Sequence, residues 1–142
     1  VKWLITPLLI VAVLAAWVRL APSPSERWFI DPRTAPPPGA AGHVSVQDFG
    51  APADAVLNRL NAIVLASPRT RRLAGSVQAG RITYVTRSRI WGFPDYTSVL
   101  AEQRPDGSRL TILGRLRFGV SDSGVNRSRI TQWLQRMDAR QQ

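Results

Sequence analysis

A run of uncharged, mostly apolar residues near the N-terminus constrains the fold of this chain more than any other feature. It extends from Trp3 to Val18 and is bounded by the cations Lys2 and Arg19. With the apolar residues that follow, it approaches the length of a thin bilayer once the flanking cations reach toward the headgroups. The pattern predicts a single-pass transmembrane helix over residues 1–21. We expect its membrane-contacting side chains to include Trp3, Leu9, Val13 and Trp17.

The same run has a second interpretation, a cleaved signal peptide. Leu14, Ala15 and Ala16 form a weak small-residue cleavage site, but the bulky Trp17 follows directly, so we favour the anchor. Positive charge is nearly balanced on the two sides of the run, and the positive-inside rule therefore does not choose an orientation. An anchor this close to the N-terminus most simply leaves its short tail inside. We therefore expect a bacterial inner-membrane protein with its C-terminal domain in the periplasm.

Two regions follow the anchor. Residues 22–50 are rich in Pro, Ala, Gly and Ser, which is typical of a semi-rigid extended stalk. The apolar island from Trp28 to Ile30 inside it is expected to dock on the membrane, the domain or a neighbouring protein. Residues 51–142 are enough for one small globular domain.

The spacing of apolar residues in this domain predicts an α+β fold. A helix extends from Pro52 to Pro68, and a closing helix extends from about Val125 to Ala139. Strands are predicted over residues 82–90, 96–103 and 109–118, with a short one near 73–77. The expected architecture is a two-layer sandwich in which two helices cover one face of a three- to four-stranded antiparallel sheet. Its uncovered face would carry Arg87, Arg89, Arg109, Arg115 and Arg117.

The formal net charge of +10 lies almost wholly in the globular domain. Residues 1–50 hold four basic and three acidic side chains, so +9 falls on residues 51–142. A basic surface attracts nucleic acid, anionic lipid headgroups or an acidic protein patch without selecting among them.

Several kinds of chemistry are excluded by what the chain lacks. Without cysteine there is no disulfide, thiolate zinc site or thiol nucleophile, and the single histidine lies in a Pro- and Gly-rich segment. The sequence shows no Ser-His-Asp set and no glycine-rich phosphate loop. We therefore predict a non-enzymatic protein with no cofactor and no metal ion.

Polar, aromatic and turn-forming residues are concentrated in two motifs at predicted strand ends, RSRIWGFPDYTSV over residues 87–99 and RLRFGVSDSGVNRSR over residues 115–129. One interpretation is structural: Asp95 and Asp122 bind arginines and backbone amides and attach the sheet to the closing helix. The other is a polar pocket for a small anion or a lipid headgroup, lined by Arg89, Asp95, Asp122, Asn126 and Arg127. The full candidate cluster is Arg87, Arg89, Asp95, Arg115, Arg117, Asp122, Asn126 and Arg127.

These motifs resemble those of the domain of unknown function 1499 family, in which a strand ending in S-R-x-x-G-F-x-D is followed by R-x-G-x-S-D-x-G-x-N-x-x-R. The matching residues are Ser88, Arg89, Gly92, Phe93, Asp95, Arg117, Gly119, Ser121, Asp122, Gly124, Asn126 and Arg129. The resemblance covers roughly residues 51–138, and the chain lacks the cysteine-containing N-terminal segment that many members carry. It implies a compact domain outside the cytoplasmic membrane of bacteria, with no established activity.

Three functions are consistent with these features. We favour an accessory or interaction subunit of a larger inner-membrane complex, respiratory or photosynthetic, that also contacts membrane lipids. The alternative is a periplasmic module that binds a small anion or a lipid headgroup. A nucleic-acid binder ranks last. It needs a cytoplasmic domain and stacking aromatics on the arginine-rich sheet face, whereas we expect a periplasmic domain and predict no aromatic residue on that face.

Overall fold

The computed structural model describes residues 2–139, with side chains described from residue 5 onward. The elements in chain order are α1 (Lys2–Leu20), α2 (Ser25–Trp28), a 3-10 turn (Gly39–Ala41), β1 (Gly42–Phe49), α3 (Ala53–Leu65), β2 (Thr70–Ser76), β3 (Arg81–Arg87), β4 (Pro94–Arg104), β5 (Gly107–Leu116) and α4 (Val125–Asp138). The predicted α+β class is confirmed: α3 and α4 pack on one face of one antiparallel sheet.

The sheet has the strand order β1-β5-β4-β3-β2, and each neighbouring pair is antiparallel. Its two ends are built differently. Short turns over residues 77–80 and 105–106 close one end, which we name the hairpin end. At the opposite end, the loop end, longer connections over residues 88–93 and 117–124 join β3 to β4 and β5 to α4. The two sequence motifs lie at the loop end.

Strand β1 corrects the prediction of three to four strands, because the sheet has five. It lies within residues 22–50, the segment predicted to be an extended stalk. As an edge strand, β1 pairs only with β5, and its Val44 and Val46 remain exposed. Of its residues only Phe49 is buried, so the usual pattern of a half-buried strand is weak in this sequence.

The core lies between the sheet and the two helices. Strand alternation sends Ile82 and Tyr84 of β3 toward the helices and Thr83 and Val85 to the opposite face, as the sequence predicts. Each fully buried Leu, Ile or Val side chain stabilises the fold by about 1.5–3 kcal/mol. The core consists of Phe49, Val56, Leu57, Leu60, Ile63, Val64, Ile82, Tyr84, Val99, Ala101, Leu110, Ile112, Ile130, Trp133 and Met137.

The opposite face of the sheet is partly covered by the linker, so the predicted open arginine face is wrong. The Trp28 ring is buried and stacks on Tyr96 with their centroids 3.7 Å apart. The backbone carbonyl oxygen of Trp28 accepts hydrogen bonds from Thr83 Oγ1 (3.4 Å) and Ser98 Oγ (3.2 Å). The physical reason is that Val85 and Tyr96 form an apolar patch on this face, and burying Trp28 there removes both surfaces from water.

The C-terminal half of α1 contacts the domain. From Ile5 to Leu20 every side chain is exposed except Ala15 and Val18, which are half-buried. Among the residues described, no helix is both long enough and apolar enough to cross a membrane. Of the predicted membrane contacts, Leu9, Val13 and Trp17 are exposed on α1, whereas the Trp3 side chain lies outside the described part of the structure.

Candidate functional site: an arginine-lined cleft at the loop end

A cleft of about 540 Å³ opens at the loop end between the last residues of β3, the connection from α3 to β2 and the first turns of α4. Its charged lining consists of Arg69, Arg87, Arg89, Arg129, Arg136 and a single carboxylate, Asp95. The hydroxyl-bearing residues of the lining are Ser67, Thr70, Thr86, Ser88, Ser123 and Ser128. We name this site the arginine cleft. Its excess of guanidinium groups favours an anionic ligand.

The carboxylate of the cleft is already paired. Arg129 donates from one guanidinium nitrogen to Asp95 Oδ2 and from another to Asn126 Oδ1, both at 3.1 Å. Both charged side chains are mostly buried, with 17% and 16% of their surfaces exposed for Arg129 and Asp95. Burial raises the pKa of Asp95 and the nearby Arg129 opposes that shift. The pair therefore joins β4 to α4. Its two opposite charges neutralise each other, so neither contributes to the net charge of the cleft.

Asp122 caps the start of α4. Its Oδ1 accepts a hydrogen bond from the Gly124 amide (2.9 Å), and its Oδ2 accepts one from the Asn126 amide (3.0 Å). Burial acts to raise the pKa of Asp122, but these amide hydrogen bonds lower it below the ordinary carboxyl value. A carboxylate at this position also complements the helix dipole. Asp122 therefore has a structural task beside the cleft.

Asn126 lies beneath the first turn of α4 and is fully buried. It packs directly on Gly114 of β5: a Cβ at residue 114 would stand 2.7 Å from the Asn126 Oδ1 atom. This close approach brings the helix against the sheet and fixes Arg129 one turn further along. Asn126 thereby positions the wall of the cleft without lining it.

Two arginines of the cleft are bound to backbone rather than to acids. Arg69, at a φ of 56°, donates from its Nε to the Arg87 carbonyl (3.0 Å). The Arg87 guanidinium donates to the Gly92 carbonyl (2.9 Å). Carbonyl oxygens orient a guanidinium group but do not cancel its charge. Among the described residues, Arg89 and Arg136 have neither an ion pair nor a side-chain hydrogen bond, and both are exposed.

The predicted cluster is divided by the structure. Arg87, Arg89 and Asp95 line the arginine cleft, Asp122 and Asn126 lie at its border, and Arg127 is exposed on α4 outside it. Arg115 and Arg117 lie on the other sheet face, where the Arg115 guanidinium is 5.2 Å from the Trp28 ring centroid and Arg117 donates to the Pro22 carbonyl (2.6 Å).

Three cleft residues, Arg69, Arg129 and Arg136, were absent from the predicted cluster. A sequence signal existed for two of them, since Arg129 and Arg136 are seven residues apart and therefore share one face of a helix. Arg69 belongs to a basic connection whose position becomes apparent only when β2 pairs with β3.

The described residues offer little for metal or acyl-transfer chemistry. No group of three or more His, Asp or Glu side chains among them is arranged to hold a metal ion. The hydroxyls at the base of the cleft are bonded to the protein: Thr70 to Thr86 (2.9 Å), and Ser67 to the Trp133 indole (2.8 Å). What the arrangement can do is bind an oxyanion through guanidinium groups and hydroxyls.

Comparison with known proteins agrees with the motifs. The family model of DUF1499, described as a protein of unknown function, matches residues 20–137. The chain belongs to the DUF1499 family. The match begins about thirty residues before the predicted start of the resemblance, and the added segment contains the linker that packs on the sheet and strand β1. These elements are therefore part of the DUF1499 domain.

Other comparisons add little. No curated protein matches the chain. A crystal structure of protein MLL2253 from Mesorhizobium loti is similar over 66% of this chain and 91% of its own, with 10% sequence identity and a TM-score of 0.49.

Proposed function

We propose that this DUF1499 protein is a non-enzymatic, membrane-anchored module that binds a phosphate-bearing or similarly anionic group in the arginine cleft. The observation that carries the proposal is the charge of the cleft: among its described residues, four arginines have no carboxylate partner, and the single carboxylate is paired with the fifth arginine. A planar guanidinium group presents parallel N–H donors that match two oxygens of a phosphate, and such charge-assisted bonds are about twice as strong as neutral ones.

The geometry supports a ligand of headgroup size. The volume of about 540 Å³ falls within the range of small-molecule sites. Arg89 and Arg136, which are free of protein partners among the described residues, would move onto the ligand, whereas Arg69 and Arg87 are already oriented by carbonyl oxygens. Part of the side-chain ordering cost of binding is therefore met before the ligand arrives.

The proposed anchor is α1. A helix that is apolar on all sides is stable only when it is surrounded by protein or lipid, and α1 exposes apolar side chains on every side along most of its length. The described part of α1 alone falls short of the length and apolarity that a membrane span needs, but the sequence extends the apolar run back to Trp3. We propose that the whole run inserts in a bacterial inner membrane as a single span, with the domain on the periplasmic side. The cationic residues that bound it, Lys2 and Arg19, would lie at the headgroups.

A second candidate function is an accessory subunit of a larger membrane complex. The same exposed surface of α1 favours it, because apolar helices in a bilayer also pack against other helices. The two candidates predict different purifications. A subunit co-purifies in stoichiometric amount with a membrane complex in mild detergent and loses it when residues 1–20 are deleted, whereas an autonomous binding module is recovered with lipid alone.

The cleft is tested by calorimetric titration of the full-length protein, in a neutral detergent, with inorganic phosphate and with glycerol 3-phosphate. We expect the double variant R89Q/R136Q to bind each at least about tenfold more weakly than the wild type, as the loss of two charge-assisted contacts implies. The matched control R104Q/R109Q removes the same charge at the hairpin end and should bind within about twofold of the wild type. Equal losses in both double variants, or no binding by the wild type, would contradict the proposal.

A further inference from the structure

Large apolar side chains are exposed together at the loop end. Ile90 is 73% exposed and Val120 is 89% exposed, and they stand on the two connections that form this end of the sheet. Trp91 and Phe93 lie on the same connection as Ile90 and are also exposed. We name these four residues, together with the half-buried Phe118, the apolar tip. An exposed group of this kind marks a surface that is covered in the functional protein.

The apolar tip is continuous with α1. The Trp17 ring lies 5.7 Å from that of Phe118, which in turn lies 6.2 Å from Phe93, measured between centroids. Apolar side chains of α1 and of the tip enclose a small groove of about 240 Å³, lined by Val11, Leu14, Ala15, Val18, Trp91 and Phe93. The last turns of α1 and the tip thus form one apolar surface.

The local backbone supports this packing. Gly92 lies between Trp91 and Phe93 at a φ of 70°, and a Cβ there would stand 2.7 Å from Cγ of Arg19. The glycine therefore allows both the turn and the close approach of the helix. In this arrangement the Arg19 side chain crosses the turn between two aromatic residues, one residue before the end of α1.

We infer that the apolar tip docks in the interfacial layer of the bilayer that holds α1, an inference that rests on the proposed membrane anchor. The tip and α1 form one surface, so the lipid that surrounds a membrane-anchored α1 also reaches the tip. Lipid is therefore the occupant that we assign to it. Indole and phenyl rings favour the headgroup layer. Cationic side chains next to the tip, Arg19, Arg87, Arg89 and Arg117, suit the phosphates of an anionic leaflet.

Docking of the apolar tip also fixes the position of the arginine cleft relative to the membrane surface. Ser88 and Arg89 of the cleft precede Ile90 of the tip directly, and Ser123 of the cleft follows Val120 by three residues. With the tip in the interface, the cleft opens at the level of the lipid phosphates. Its ligand is then the anionic headgroup of a lipid in the same leaflet rather than a free phosphate in solution.

The test uses spin labels, and the absence of native cysteine allows single labels at chosen sites. The full-length variants V120C and D106C are reconstituted in vesicles of phosphatidylcholine with and without phosphatidylglycerol, and vesicle flotation verifies their membrane association. Residue 106 is the matched control because it is exposed in the turn between β4 and β5 at the hairpin end, about 30 Å from the loop end along β4. The measured quantity is accessibility of the label to oxygen and to a water-soluble nickel chelate.

We expect the label at residue 120 to be accessible to oxygen and protected from nickel, more so with phosphatidylglycerol, and the label at residue 106 to show the reverse. Two results would overturn docking while leaving the anchor intact: a floated protein whose label at 120 is as open to nickel as that at 106, or a label at 120 shielded from both reagents, as in contact with protein. A protein that fails to float overturns the anchor and the docking together. Phosphate binding in detergent is measured separately, so failure of the cleft is distinguishable from failure of the docking.

Discussion

Arginines lie at both ends of the sheet, but the partners of their guanidinium groups differ between the two ends. Toward the hairpin end three guanidinium groups have carboxylate partners: Arg109 binds Asp48 at 2.7 Å, Arg33 binds Asp31 and Glu102, and Arg104 lies 3.5 Å from Glu102. At the loop end, among the described residues of the cleft, only Arg129 has such a partner. The +9 charge of residues 51–142 is therefore not spread evenly over the domain surface.

This difference shows why an arginine count alone does not identify a binding surface. A guanidinium group with a neighbouring carboxylate contributes little net field, whereas unpaired groups around a concave surface add their potentials and raise the local concentration of anions. At the hairpin end, neighbouring carboxylates thus neutralise the charge of these arginines. The loop end is the part of the molecule that is open to an anionic partner.

The largest effect that we predict tests whether the hairpin end is the more tightly built. In Gly107→Ala, the new Cβ would stand 2.0 Å from the Phe49 carbonyl oxygen, at a φ of 136°. We expect the variant to lose about 3 kcal/mol or more of unfolding free energy, from strain together with the steric clash. The matched change at the loop end is Gly124→Ala. A φ of 81° is strained for alanine, but no atom lies within 4 Å of the new Cβ, so the variant should lose about 1 kcal/mol of unfolding free energy. Urea denaturation measures both, and equal losses would remove this difference between the ends.

The next effect concerns the carboxylates themselves. Asp95→Ala leaves a mostly buried Arg129 without its partner, and we expect it to cost about 2 kcal/mol of stability. Glu102→Ala, with more exposed partners, should cost less than about 1 kcal/mol. Because Asp95 is the acid of the cleft, its removal should also strengthen phosphate binding by about threefold, on the scale of one partly screened charge pair. An unchanged or weaker phosphate affinity in a folded Asp95→Ala protein would argue that the ligand does not enter beside Arg129.

The smallest effect is pH-dependent and concerns the cap of α4. The pKa of Asp122 is lowered on folding, so its ionised form contributes stability that is complete above the ordinary value of 3.8 and is lost as the pH falls through that value toward the lowered one. Asn can still accept amide hydrogen bonds, and Asp122→Asn should therefore cost only about 0.5–1 kcal/mol at neutral pH. The difference from wild type should disappear in strong acid. Thermal unfolding over a pH series would contradict this if the difference grew below the ordinary carboxyl value.

Much of the fold was predictable because its helices and central strands bury a regular apolar pattern. The helices α3 and α4 and strands β2 to β5 lie within a few residues of their predicted positions. Strand β1 was missed since its valines face solvent at a sheet edge, and the strand follows a Pro- and Gly-rich segment. The docking of Trp28 was one of three predicted possibilities, and only the apolar patch around Tyr96 decides between them.

The site was less predictable, because it depends on contacts between distant parts of the chain. In one of the two interpretations of the motifs, Asp95 and Asp122 bind arginines and backbone amides, and in the structure these partners are Arg129 and the Gly124 and Asn126 amides. The predicted cluster also grouped Arg115 with Arg89, although strand alternation and the packing of the linker place Arg115 beside Trp28 on the other face. Which arginines remain unpaired is decided by tertiary structure and is not encoded in local spacing.

The most direct test of the contrast between the two ends is a map of phosphate binding by nuclear magnetic resonance. The backbone amide signals of the full-length protein in detergent micelles are followed during a titration with inorganic phosphate at constant ionic strength. We predict saturable shifts at the loop end, centred on Ser88, Arg89, Gly124 and Ser128, with unchanged signals at the hairpin turns over residues 77–80 and 105–106. Shifts of similar size at both ends, or a linear response without saturation at the cleft, would contradict the assignment of the loop end as the anion-binding part of this protein.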